Sequence, residues 1–166
     1  MDLGIYSLSD LILAGLKSEI DSEEVYIRLG KTVKNFMLKD RFAFLAGEEE
    51  KHRQFFEWLF HNTLPNKKMV IPEKSPVPLP QIRPEDIDEE NVEMLSIINK
   101  AMDAEKAAYE FYTEISDKFD DSEIKKMLRY IASMEMGHYK ILEIEKENIE
   151  KYEEFDVEWP MMHIGP

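Results

Sequence analysis

Six residues of this sequence combine side-chain type and spacing in a way that suits metal binding: Glu19, the pair Glu49 and His52, Glu105, and the pair Glu135 and His138. They form two copies of one pattern, a lone Glu followed by Glu-x-x-His, and each member of the second copy lies 86 positions after its counterpart. Residues three apart on a helix differ by about 60° in direction and ~4.5 Å in height, so the Glu and His of each pair reach one centre from adjacent turns. A single Glu-x-x-His in so acidic a chain would most simply be a solvated surface pair. Four carboxylates and two imidazoles from four helices are instead the donor set of a two-iron or two-manganese site inside a bundle, with enough negative charge to balance two divalent cations.

Four segments must position these residues, and each has the apolar period of a helix. From Leu8 to about Thr32 the stripe runs through Leu11, Ile12, Gly15, Tyr26 and Leu29, and Glu19 lies on it. From about Asn35 to Asn62 the face reads Leu38, Phe42, Leu45, Glu49, His52, Phe56 and Leu59, with steps of four and three as in a bundle core. The third segment, about Glu89 to Asp117, aligns Ile98, Ala101, Glu105, Ala108, Tyr112 and Ile115. The fourth, about Ser122 to Tyr152, aligns Ile124, Leu128, Ile131, Glu135, His138 and Leu142, with Asp121 or Ser122 as its N-cap.

Between the second and third segments, Pro65, Pro72, Pro76, Pro78, Pro80 and Pro84 remove amide donors and forbid regular helix. This stretch, about 62–88, predicts an extended crossover able to span a bundle, since polyproline chain advances ~3.1 Å per residue. The expected fold is all-α: an antiparallel four-helix bundle made of two helical hairpins joined by a long Pro-rich crossover, as one domain over 1–166. The hairpins read as a duplication, because the 86-residue offset also pairs Tyr26 with Tyr112, Ala46 with Ala132 and Glu57 with Glu143. The tail, about 153–166, holds Trp159, Met161, Met162 and His163 without a clear period and is expected to cap the bundle or contact a second subunit.

Composition narrows the partners. With no cysteine, the chain has no thiol ligands for zinc, haem or iron–sulfur clusters, so any metal must rest on N and O donors. A formal charge of −14 opposes binding to nucleic acid or to an anionic membrane surface. Met1 to Asp10 carries no basic region and no apolar run approaches the roughly 18 residues of a membrane span, which points to a cytoplasmic protein. His61 and His163 lack an acidic residue three positions back on an apolar face and are read as surface residues. Tyr26 and Tyr112, two turns beyond the lone glutamates, are read as core residues hydrogen-bonded to a metal ligand rather than as redox tyrosines; Met102 and Met134 are read as core filler.

The strings from Leu45 to His52 and from Ala104 to Tyr112, with Glu19 to Tyr26 at matching spacing, resemble the rubrerythrin branch of the ferritin-like superfamily over about residues 8–150. The resemblance implies a di-iron centre, usually in a homodimer, that reacts with hydrogen peroxide or dioxygen as an oxidoreductase of oxidative stress defence. The six residues Glu19, Glu49, His52, Glu105, Glu135 and His138 would be its ligands; the symmetry of the repeated pattern, rather than the resemblance, selects Glu49 and Glu135 as bridging and Glu19, Glu105, His52 and His138 as terminal. Full-length rubrerythrins add a rubredoxin-like domain with four cysteines; here electrons must come from a separate donor such as a rubredoxin. Members that reduce peroxide efficiently also carry an additional Glu one turn after the third-helix ligand, where this chain has Ala108, and Glu23 is the nearest substitute, though a solvent-facing role suits it better. The competing readings are iron oxidation for sequestration in a ferritin-like assembly, a dimanganese site acting as a catalase, and a structural zinc site.

Overall fold

The computed structural model describes residues 3–86 and 93–158, with side chains as far as Lys151. Four helices carry the fold: α1 (Leu8–Thr32), α2 (Phe36–Thr63), α3 (Met94–Ser116) and α4 (Ser122–Glu158). No strand occurs among the described residues. Helix starts follow their capping chemistry. Ser7 and Asp10 form a reciprocal capping box on α1, and Asn35 Oδ1 accepts from the amides of Met37 and Leu38 at 2.9 and 3.2 Å on α2. Asp121 Oδ1 accepts from the amides of Glu123 and Ile124 at 2.8 and 3.1 Å, which settles the N-cap of α4 on Asp121.

Two boundaries differ from the sequence reading. Within the described residues α3 begins at Met94 rather than near Glu89, and residues 87–92 lie outside them. Helix α4 continues past Tyr152 to Glu158, so the expected tail begins in helix; Trp159, Met161, Met162 and His163 lie outside the described residues.

α1 packs along α2 and α3 along α4, and the hairpins meet where α1 faces α3 and α2 faces α4. The apolar stripes divide into two cores. One gathers Ile12 and Leu16 with Phe56, Tyr112, Ile115 and Leu128; the other gathers Val25 and Leu29 with Phe42, Leu45, Ile98 and Leu142. At roughly 1.5–3 kcal/mol for each large apolar side chain removed from water, these cores offset the cost of the polar residues enclosed between them.

The crossover spans the bundle as the prolines predict. It leaves α2 beside the first core, buries Val77 there and Ile82 in the second core, and so reaches the end from which α3 starts. A 3₁₀ turn at Pro84–Asp86 closes it against α1, where Arg28 Nη1 donates to the Pro84 carbonyl at 3.3 Å. No helix among the described residues is long and apolar enough to cross a membrane.

Candidate metal centre

All six predicted residues converge between the two cores, none more than 5% exposed. Glu19 comes from α1, Glu49 and His52 from α2, Glu105 from α3, and Glu135 and His138 from α4. Both imidazoles turn Nδ1 toward the carboxylates, with ring centroids 5.5 Å apart. Glu49 presents Oε2 to His52 at 3.3 Å and Oε1 to His138 at 3.0 Å. Glu135 presents Oε1 to His52 at 2.9 Å and Oε2 to His138 at 3.2 Å. Glu19 approaches His52 alone, and Glu105 approaches His138 alone, both at 3.6 Å. Each distance therefore has a twin at the 86-residue offset, and the site has a local two-fold relation between the hairpins.

The tyrosines complete that symmetry. Tyr26 Oη donates to Glu105 Oε1 and Tyr112 Oη donates to Glu19 Oε1, so each bond crosses from one hairpin to the other. The sequence places each tyrosine on the same face as the lone Glu of its own helix, yet its partner belongs to the facing helix. Burial, followed by the nearby carboxylates, pushes both phenols well above their ordinary range, so both remain donors.

Charge inside the cluster is poorly tolerated without a cation. Burial and the neighbouring Glu49 raise Glu19 to about 8, and burial and Glu19 raise Glu135 to about 7. Burial alone would lower the histidines, but the close approach and charge of the surrounding carboxylates raise both well above their ordinary value. Burial would likewise raise Glu105, but His138 holds it below 4.5.

The remaining polar atoms fit a cation. Glu49 Oε1, Glu135 Oε1, His52 Nδ1 and His138 Nδ1 are buried and have no hydrogen-bond partner among the described residues, although they face one another at 2.9–3.0 Å. Each Nδ1 meets its carboxylate oxygen without a well-directed hydrogen bond, and a cation taking the place of the histidine protons would complete the pairing. One ligand atom from each of Glu49, His52, Glu135 and His138 lies within 4.8 Å of the others, so these four can hold a metal ion, and Glu19 and Glu105 face the same space. An all-oxygen-and-nitrogen set of this kind suits iron, manganese or zinc.

Other candidates fall outside the cluster. His61 is exposed against the edge of Phe60. Glu23 accepts from Arg53 Nε at 2.8 Å, and Arg53 Nη1 donates to Glu57 at 2.8 Å, so Glu23 is engaged in a surface network instead of replacing a carboxylate at Ala108. Spacing alone exposes only the Arg53–Glu57 half of that network, as an i, i+4 pair. Ala108 packs in the first core and Met102 in the second, while Met134 is only half-buried.

A family model described as rubrerythrin matches residues 10–156. Among solved structures, a hypothetical protein from Pyrococcus furiosus, Pfu-1136390-001, is similar at 31% identity with a TM-score of 0.80, over 91% of this chain and 95% of that one. No curated protein matches the chain.

Proposed function

Since this chain belongs to the rubrerythrin family, we propose that it is a non-haem di-iron carboxylate protein that reduces hydrogen peroxide or dioxygen with electrons from a separate donor. The observation that carries the reading is the paired set of buried, unpartnered Oε1 and Nδ1 atoms at the junction of the hairpins. Glu49 and Glu135 each divide their two oxygens between the two histidines, which supports the bridging role for them. Glu19 with His52, and Glu105 with His138, would hold the two ends.

Two irons held there would supply the redox chemistry, giving electrons in pairs to an oxidant. The chain's own part is geometric and electrostatic. Four carboxylates offset the charge of two divalent ions, the cores on either side exclude bulk water, and Tyr26 and Tyr112 hold the end carboxylates in place by donating to the oxygens facing away from the histidines.

The test joins metal analysis, optical spectroscopy and mutation. Protein from native cells is expected to hold two irons per chain, to show near-ultraviolet charge-transfer absorption when oxidised, and to be reoxidised by stoichiometric peroxide after anaerobic reduction faster than by air. Glu49→Ala and Glu135→Ala are each expected to lose two-metal binding while keeping most helix content. Stoichiometric zinc or manganese, or normal metal content in both variants, would refute the reading. Sizing the native protein separates a homodimer from the iron-sequestering alternative, which would elute as a much larger shell.

A further inference from the structure

Among the described residues, a line of packed aromatic rings joins the cluster to the protein surface on one side and has no aromatic counterpart at the 86-residue offset. Trp58 is 45% exposed on α2. Its ring lies 5.7 Å from that of half-buried Phe55, Phe55 lies 5.5 Å from Phe56, and Phe56 lies 4.9 Å from Tyr112, all centroid to centroid. These are contact distances for aromatic pairs. Tyr112 then donates to Glu19.

The duplication supplies an internal comparison. At the 86-residue offset Trp58, Phe55 and Phe56 correspond to Ile144, Ile141 and Leu142, with the same order of exposure: exposed, half-buried and buried. Tyr112 corresponds to Tyr26, which instead stacks on Phe42, a ring only 1% exposed. Aliphatic side chains therefore meet the packing requirement at these positions, and the aromatic line is additional to it. The fold also accommodates the line at a cost. Gly15 of α1 leaves room for Phe56, since a Cβ there would meet the ring at 2.4 Å; at the 86-residue offset Gly15 becomes Ala101 and Phe56 becomes the smaller Leu142, both in the second core. Glycine inside a helix is unfavourable relative to alanine.

We propose that Trp58, Phe55, Phe56 and Tyr112 form the path by which electrons enter the metal site, with Trp58 as its surface port. The inference rests on the redox function proposed above. Electrons cross the packed rings and the Tyr112–Glu19 hydrogen bond without a proton leaving Tyr112. With an external donor, Trp58 relays the donor's electrons. Without one, excess hydrogen peroxide draws electrons from Trp58 itself. Trp58 adds one whole water and the adduct loses two electrons and two protons, which gives hydroxytryptophan; the same two electrons and two protons cleave the O–O bond of one peroxide to give two waters.

The test treats the reduced, iron-loaded full chain with excess hydrogen peroxide and no donor, follows the iron optically, and maps oxygen addition by peptide mass spectrometry, which separates Trp58 from Trp159. Oxygen is expected on Trp58 in iron-loaded protein and not in zinc-loaded protein. The paired variant Gly15→Ala/Phe56→Leu, which copies Ala101 and Leu142, and separately Phe55→Ile, should both reduce this labelling to the zinc level while the first reoxidation of the iron proceeds at the original rate. Reoxidation of iron without labelling of Trp58, or labelling that survives in the zinc form or in both variants, would overturn the path alone. Failure of peroxide to reoxidise the iron at all would overturn the proposed function and the path together.

Discussion

Gly15→Ala should destabilise this protein, although alanine is the better helix former, and should stabilise it once Phe56 is leucine. The added methyl would lie 2.4, 2.6 and 2.9 Å from Cε1, Cζ and Cδ1 of Phe56. Carbon contacts settle near ~3.5–4.0 Å, so the ring would have to retreat by about 1 Å. It has little room to do so, being fully buried with Tyr112 and Phe55 against it. Overpacking of this kind costs ~1–3 kcal/mol, and a contact this short belongs in the upper part of that range. Replacing glycine inside a helix returns ~1 kcal/mol, which leaves a net loss of roughly 1–2 kcal/mol. In the Phe56→Leu background the clash is gone and only the helix gain of ~1 kcal/mol remains. The effect changes sign, with a coupling of roughly 2–3 kcal/mol, in the range for residues in contact. Urea unfolding followed by circular dichroism, with chelator present so that bound metal does not contribute, measures all four corners of the cycle. Equal effects of Gly15→Ala in both backgrounds would refute the packing argument.

Metal-free protein should lose stability as pH rises from about 5 to 8. Glu19 and Glu135, raised from 4.5 to about 8 and about 7, and both histidines, raised from 6.5, hold protons in the folded state that the unfolded chain releases. Their stabilisation is complete below the unfolded values and disappears as pH climbs through the folded ones. Metal replaces those protons, so the stability gained on loading should grow with pH over the same window; urea midpoints at several pH values, with and without metal, check both slopes, and a metal-free midpoint that rises with pH would contradict the charge assignment. Tyr26→Phe and Tyr112→Phe should each weaken metal binding by roughly 10–100-fold, and by similar amounts because the two bonds are related by the local symmetry. Competition against a chelator of known affinity measures this, and unchanged affinity in both variants would remove the tyrosines from the site.

The bundle and its six central residues were legible because helix period and metal-ligand spacing reinforce each other: Glu49 and His52 occupy the same stripe as Leu45 and Phe56, so burial of one implies burial of the other. Prolines likewise announced the crossover, by removing the donors a helix needs. Helix ends were less legible where local signals were weak. At the start of α3 Glu93 makes no side-chain cap, and α4 runs into a charged stretch in which no Gly or Pro stops it before Pro160. Partners across the hairpin junction were not legible at all. The period of α1 shows that Tyr26 faces inward, but whether its hydroxyl meets Glu19 or Glu105 depends on how two distant segments align. The same limit hid Glu23 as the second partner of Arg53, and the fit of Phe56 against Gly15.

The connectivity also dictates an order of assembly. α1 and α2, and likewise α3 and α4, pack through contacts between neighbours in sequence, which form early because they close short loops. Union of the two hairpins is different in kind, since it must gather Glu19, Glu49, Glu105 and Glu135 into one dry space against their mutual repulsion. The crossover keeps the halves within reach of each other, so dilution does not set the pace. Refolding should therefore divide into a quick local phase and a later docking phase, and the later one should be governed by whichever neutralising species, proton or cation, is on hand when the halves meet.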